Sequence, residues 1–179
     1  MKNITGNHGF TIIELLVTLS IGALLLTAAV PSFTSYVDEA KVAGAAEKIK
    51  VDMEWARTQA LRNNKNIIMK FQIDDIDATN WCYGFDDTDN NCDCTTNNCT
   101  VNNNINTYSN QQFSGTMLDI ALTGGSQILT MTNRGFSTVK GQITISKDND
   151  TATISVNDLG RGHICSDQLS EFMNCPIAL

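Results

Sequence analysis

The sequence predicts an α+β fold: a long N-terminal helix, membrane-spanning at first and then a spine, packed on an antiparallel β-sheet head. Three observations lead there. An apolar run from Phe10 to Val30 leads, past Pro31, into an amphipathic stretch from Asp38 to Arg62. Five short segments further on carry strand patterning and are separated by Gly, Asn and Asp. All six cysteines lie beyond the apolar run, as in a domain stabilised in an oxidising compartment.

The elements follow in chain order. Met1 to Gly9 is short and polar, carries Lys2 and ends His8-Gly9. A secretory signal peptide has its small-residue cleavage site after the apolar stretch; here the small residue precedes it. Cleavage between Gly9 and Phe10 removes a leader, keeps the apolar helix and creates an amine on Phe10. The run is about 20 residues, roughly 30 Å of helix and one hydrocarbon thickness. Glu14 is the only charged side chain between Phe10 and Val37. A carboxylate there costs on the order of 2–3 kcal/mol or more, and nothing within the run can pair with it. Its expected partner is another molecule, in the simplest case the Phe10 amine of a neighbouring helix displaced along a common axis.

These residues resemble a known signal. Gly9-Phe10-Thr11-Ile12-Ile13-Glu14-Leu15-Leu16-Val17, with Pro31 beyond, is similar to the class III signal of type IV pilins and type II secretion pseudopilins. The resemblance implies a type IV pilin-like fold, cleavage after Gly9 and N-methylation of Phe10 by a prepilin peptidase. It also implies single-pass insertion in the bacterial inner membrane, then extraction into a periplasmic or extracellular filament of other pilins and minor pilins. The expected division is a leader at 1–9, a transmembrane helix at 10–37 and a head at 38–179 that includes the rest of the helix. Gly22 and Pro31 are weak points in the helix, Gly by propensity and Pro by its missing donor and its clash with the preceding turn. They read either as a harmless kink or as a place for local melting when the helix leaves the bilayer.

In the spine half, Val42, Ala45, Ile49, Met53, Ala56 and Ala60 recur at three- and four-residue steps and draw one apolar face. Glu47, Lys48, Lys50 and Glu54 are expected to face away, and Asn63-Asn64 to end the helix. Strands are expected around Ile67–Ile73, Leu118–Leu122, Ile128–Thr132, Gln142–Ser146 and Thr151–Val156, with a hairpin turn at Lys147–Asp150. One or two antiparallel sheets should fold against the Val42–Ala60 face.

Three further stretches narrow the resemblance. Trp55-Ala56-Arg57-Thr58-Gln59-Ala60-Leu61-Arg62-Asn63-Asn64 is similar to a helix end of the GspH/FimT branch. Asn133-Arg134-Gly135-Phe136 and Gly160-Arg161-Gly162-His163-Ile164-Cys165 resemble its late strands and its G-R-x-R-x-C ending. The branch implies a minor pilin that primes or caps a type IV pilus, or a GspH-like minor pseudopilin of a type II secretion system. It further offers a FimT-like DNA-binding pilin, with Arg161 as the contact. Here His163 replaces the second arginine, and a neutral imidazole attracts phosphate little at pH 7. The plainer expectation is that Arg161 pairs with an acid or caps carbonyls beside Cys165.

Composition limits the choices. The whole net charge of −7 lies beyond Val37, where 18 acids face 11 Lys and Arg, which opposes non-specific binding of nucleic acid. Cys82, Cys92, Cys94 and Cys99 cluster in an Asp- and Asn-rich stretch, and Cys165 and Cys175 bracket a C-terminal loop. Locality favours two bridges inside the first cluster and one across the loop, although six cysteines allow fifteen pairings. Zinc on Cys92, Cys94 and Cys99 is the alternative, but the spacing is not that of a zinc finger and no histidine is near. Calcium on Asp86, Asp87, Asp89 and Asp93 lacks the glycine and distal glutamate of an EF-hand loop. The only histidines are His8 and His163, and no nucleophile motif, phosphate loop or metal-binding His pair is present. A non-enzymatic subunit with no cofactor and no metal is the expectation.

Overall fold

The computed structural model describes residues 9–88 and 92–175; within the long helix the side chains of residues 28–32 are also outside the described set. The chain divides into two compact units, Met1–Val37 and Asp38–Leu179.

Helix α1 spans Ile12–Asn63 and contributes to both units. In the first, Phe10, Ile12, Ile13, Leu24 and Leu25 are largely exposed. Among the described residues, no helix is long and apolar enough to cross a membrane. The apolar stretch of α1 with described side chains runs only from Ile12 to Thr27 and contains Glu14, short of the roughly 20 residues a span requires. The leader residues Met1–His8 and the side chain of Pro31 fall outside the described residues, while the helix is unbroken through Gly22.

In the second unit the expected apolar stripe is fully buried: Val42, Ala45, Ile49, Met53, Ala56 and Ala60 are inaccessible to solvent. Helix α1 ends where the asparagine pair sits, and Asn64 takes φ 51°. That left-handed residue is a common helix terminator, tolerated better by Asn than by most side chains.

Among the described residues ten strands follow: β1 (Ile67–Ile73), β2 (Trp81–Asp86), β3 (Thr100–Val101), β4 (Asn104–Ile105), β5 (Thr107–Ser109), β6 (Met117–Leu122), β7 (Ile128–Met131), β8 (Gly141–Lys147), β9 (Asp150–Val156) and β10 (Gly162–Cys165). They form a sheet ordered β5-β2-β1-β7, a second ordered β10-β9-β8-β6, and the small hairpin β3-β4. Every strand pairing in these sheets is antiparallel. Ile67, Met69, Phe71, Tyr83, Phe85, Leu129 and Met131 of the first sheet share one core with Leu118, Ile143, Ile145, Ile154 and Val156 of the second and with the stripe of α1. Asp38, at the start of this unit, pairs with Lys147 at 3.0 Å, and that hydrogen bond is the first cause holding its carboxyl below the ordinary range, while Lys147 is raised in turn.

One inner strand of the first sheet is not among the five that the sequence predicts. Trp81–Asp86 is the inner strand β2, paired with β1 on one side and β5 on the other and buried along its whole length. A strand covered on both faces shows no alternation, and its Cys, Gly and Asp disguise it further. Tyr83 packs among Phe71, Trp81, Phe85 and Tyr108 at centroid distances of 5.3–6.4 Å, the offset and edge geometries that aromatic pairs favour.

Three bridges close the cysteine framework: Cys82–Cys94, Cys92–Cys99 and Cys165–Cys175. With no free cysteine, no thiolate is left for zinc. Asp86 and Asp93 each accept from a threonine two residues on, through both its backbone N–H and its hydroxyl. Asp87 meets Lys65 at 3.5 Å, and Asp89 is outside the described residues. In the C-terminal loop Leu169 is buried and Phe172 packs on the core, while Met173 is mostly exposed. Closing a loop of this length stabilises a chain by roughly 2–3 kcal/mol. The Cys165→Ser/Cys175→Ser double variant should therefore melt several degrees lower. Peptide mapping that finds both thiols free in the parent protein would refute the prediction's premise.

Candidate functional site

At the N-terminus the geometry is set by the first helical turn. Gly9 and Phe10 precede the helix and are exposed, Phe10 to 83%. Thr11 caps α1: its hydroxyl accepts the Glu14 N–H at 3.3 Å. Thr11-Ile12-Ile13-Glu14 has the spacing of a capping box, Thr at the cap and Glu three residues on. An acid in the first turn also complements the helix dipole. Sequence reasoning missed this local part for Glu14, although the T-x-x-E spacing was there to be read. Among the described residues, its carboxylate itself has no hydrogen bond or ion pair, so its charge is free to meet another molecule.

In the head, the carbonyl-capping part expected of Arg161 falls to Arg57. Among the described residues the Arg161 guanidinium neither pairs with an acid nor caps a carbonyl. The capping arginine is Arg57, whose Nε donates to the Gly135 carbonyl at 2.8 Å. That bond ties the helix stretch holding Arg57 to the Asn133–Phe136 turn, two of the three segments that carry the branch resemblance. Gly160, with φ 67°, lies against the same turn; a Cβ there would stand 3.1 Å from the Gly135 oxygen and 3.0 Å from Met131 Sδ. The result is a groove lined by Lys50, Glu54, Arg57, Leu61 and Arg161, with a cavity volume of about 370 Å³. His163 is exposed on β10, beside Lys50, Val51 and Phe172.

A second polar cluster escaped sequence reading. Asp52 is only 6% exposed. Both of its oxygens accept from Lys48 Nζ, at 2.6 and 2.5 Å, and Oδ2 also accepts the Tyr83 hydroxyl at 2.6 Å. Lys48 Nζ lies 4.0 Å above the Tyr108 ring. Lys48 therefore turns toward the head and does not face away. Burial first, then the Asp52 charge, pushes the Tyr83 phenol far above its ordinary value, so it remains a donor. The only sequence signal was the i,i+4 spacing of Lys48 and Asp52. Each polar atom of the cluster is satisfied, which reads as structural support for the wall formed by β2 and β5.

Comparison with known proteins finds matches for the N-terminal segment and for most of the head. Residues 4–30 match the family model described as the prokaryotic N-terminal methylation motif. Residues 45–160 match the model of the type II transport protein GspH. No curated protein matches the sequence. A crystal structure of the type IV minor pilin FimU of Pseudomonas aeruginosa strain PAO1 is similar with a TM-score of 0.54 at 12% identity, covering 75% of this chain and 98% of that one. A second crystal form of the same protein gives 0.48 at 14% identity, covering 70% and 97%.

Proposed function

The chain belongs to the GspH family, and from that premise we propose that it is a minor pilin, a structural and non-enzymatic subunit that primes or caps a type IV pilus. The observation that carries the reading is the coexistence in one chain of a methylation-motif match at 4–30 and a GspH match at 45–160. A prepilin peptidase cleaves after Gly9 and methylates the new amine of Phe10. The helix resides in the inner membrane as a single pass, with the head in the periplasm, until other pilins and minor pilins take it into the filament. Glu14 then meets the Phe10 amine of a neighbour.

Processing is the direct test. Gly9→Val places a branched side chain at the scissile position and leaves the apolar run unchanged. It should leave the leader attached and hold the chain in the membrane fraction, with the unmethylated precursor mass. A normal mature mass in the variant sinks this part of the proposal.

One observation favours a second reading: the matched family model bears the name of a type II transport protein, which suits a minor pseudopilin of a secretion system. The two part on location. A minor pilin is found in filaments sheared from the cell surface. A pseudopilin is absent from them and its loss stops protein secretion. The third expectation, DNA capture through Arg161, is tested by gel-shift of the parent against Arg161→Ala; the head's excess of acid disfavours it.

A further inference from the structure

The four arginines of the chain share one end of the head. Helix α1 enters this unit at Asp38 and ends at Asn63, roughly 40 Å further along, and the arginines gather at the Asn63 end. Arg57 donates to the Gly135 carbonyl, next to Arg134. Gly160 lies against that same carbonyl, next to Arg161, which shares its groove with Arg57 and Leu61. Arg62 follows Leu61 in the last turn of the helix. Within residues 54–62, 133–137 and 157–161 the four arginines stand against two acids, Glu54 and Asp158, on a chain whose net charge is −7.

Their pairing sets these cations apart. All five ion pairs among the described residues are made by lysines: Lys41 and Lys147 with Asp38, Lys48 with Asp52, Lys50 with Glu54 and Lys65 with Asp87. No arginine enters one, and among the described residues the guanidinium groups of Arg62, Arg134 and Arg161 make no hydrogen bond either. A guanidinium is more weakly hydrated than an ammonium and offers a planar fork that matches a carboxylate. Apolar side chains lie among the arginines: Leu61, Phe136 and Leu159 are each 47–50% exposed. Arginine and aromatic residues are enriched where proteins meet, and lysine is depleted there. The turns that carry this surface are ordered from within. The Asn157 side chain accepts the N–H groups of Leu159 and Arg161, both at 3.1 Å, and the Thr132 hydroxyl accepts the Phe136 N–H at 3.1 Å. A surface already ordered has little conformational freedom left to lose on binding.

We propose that this arginine end of the head docks a different, acidic polypeptide, one that presents carboxylates around an apolar side chain. The carboxylates meet Arg134 and Arg161, and the apolar side chain covers Leu61, Phe136 and Leu159. A second copy of this chain is a poor occupant, because face to face it sets arginines against arginines, and like charges brought together cost affinity. A nucleic acid would use the arginines for phosphate contacts and leave the three apolar side chains in water. The inference goes beyond the minor-subunit reading and agrees with it: a subunit that primes or caps has one end to offer a non-identical neighbour.

The test uses the full chain in its native cells, with a benzophenone amino acid replacing Leu159. Irradiation should yield one cross-linked species in which the attached peptide comes from another chain and carries Asp or Glu beside an apolar residue. The same probe at Ile76, which is 97% exposed in the turn between β1 and β2, should not yield it. Adding Arg161→Glu or Arg134→Glu to the Leu159 probe should reduce the species about tenfold. Replacing the mapped acid of the partner by lysine should restore it with Arg161→Glu, which general damage to the fold would not. A product with a second copy, a nuclease-sensitive product, a peptide without acids, no product, or a yield indifferent to both substitutions overturns the proposal. Sheared filaments from the same cells separate this claim from the functional reading. A chain that enters filaments without forming the species refutes the contact and leaves the filament reading intact. A species formed by a chain that never enters filaments refutes the filament reading and upholds the contact.

Discussion

A Glu14→Leu subunit inserts into the membrane at least as well as the parent and fails to enter filaments. Insertion improves because the substitution removes a carboxylate that costs on the order of 2–3 kcal/mol in hydrocarbon. The start of the helix survives, because the Thr11 hydroxyl bonds the backbone N–H of residue 14 and not its side chain. Only the first-turn dipole interaction is lost locally, about 0.3–1 kcal/mol. What disappears is the charge offered to a neighbour. Breaking a desolvated ion pair by removing one partner costs about 3–5 kcal/mol, so incorporation should fall more than tenfold. Immunoblots of membrane and sheared-filament fractions measure both effects, with Glu14→Gln as the near-isosteric control. Wild-type levels of Glu14→Leu in filaments would remove Glu14 from assembly.

Gly84→Val is expected to be the most damaging single change in the head. Gly84 lies in the middle of β2, opposite Lys70 on one side and Thr107 on the other. Its backbone angles are ordinary, and space is what requires glycine. A Cβ at this position would overlap Cys99 Sγ and Cβ and stand 3.0 Å from Cys92 Sγ. The Cys92–Cys99 bridge is seated directly on the strand. Valine adds overpacking, about 1–3 kcal/mol, and displaces a bridge whose loop closure stabilises by roughly 2–3 kcal/mol. With each kcal/mol shifting the melting temperature by about 2–8 °C for domains of this size range, the full chain in detergent should melt at least about 6 °C lower. Alkylation and mass analysis should find free thiols at Cys92 and Cys99. Three intact bridges and an unchanged melting temperature would show that the sulfurs can move aside.

The sequence by itself determined what depends on neighbours along the chain. The stripe Val42–Ala60, the helix stop at Asn63-Asn64 and the strands β1, β6, β7, β8 and β9 follow from periodicity and turn residues, which act locally. The isolation of Glu14 in an apolar run is likewise visible in one dimension, because it is a statement about what is missing nearby. The tertiary structure alone decided what depends on distant segments. Strand β2 became an inner strand because β1 and β5 pair with it, although its residues carry no period-two signal. Asp52 is buried and satisfied because Tyr83, 31 residues away, reaches it. The division of labour between Arg57 and Arg161 rests on Gly135, 78 residues beyond Arg57. Two arginines in equally exposed-looking sequence thus acquire different roles, since only folding brings a carbonyl to one and leaves the other facing water.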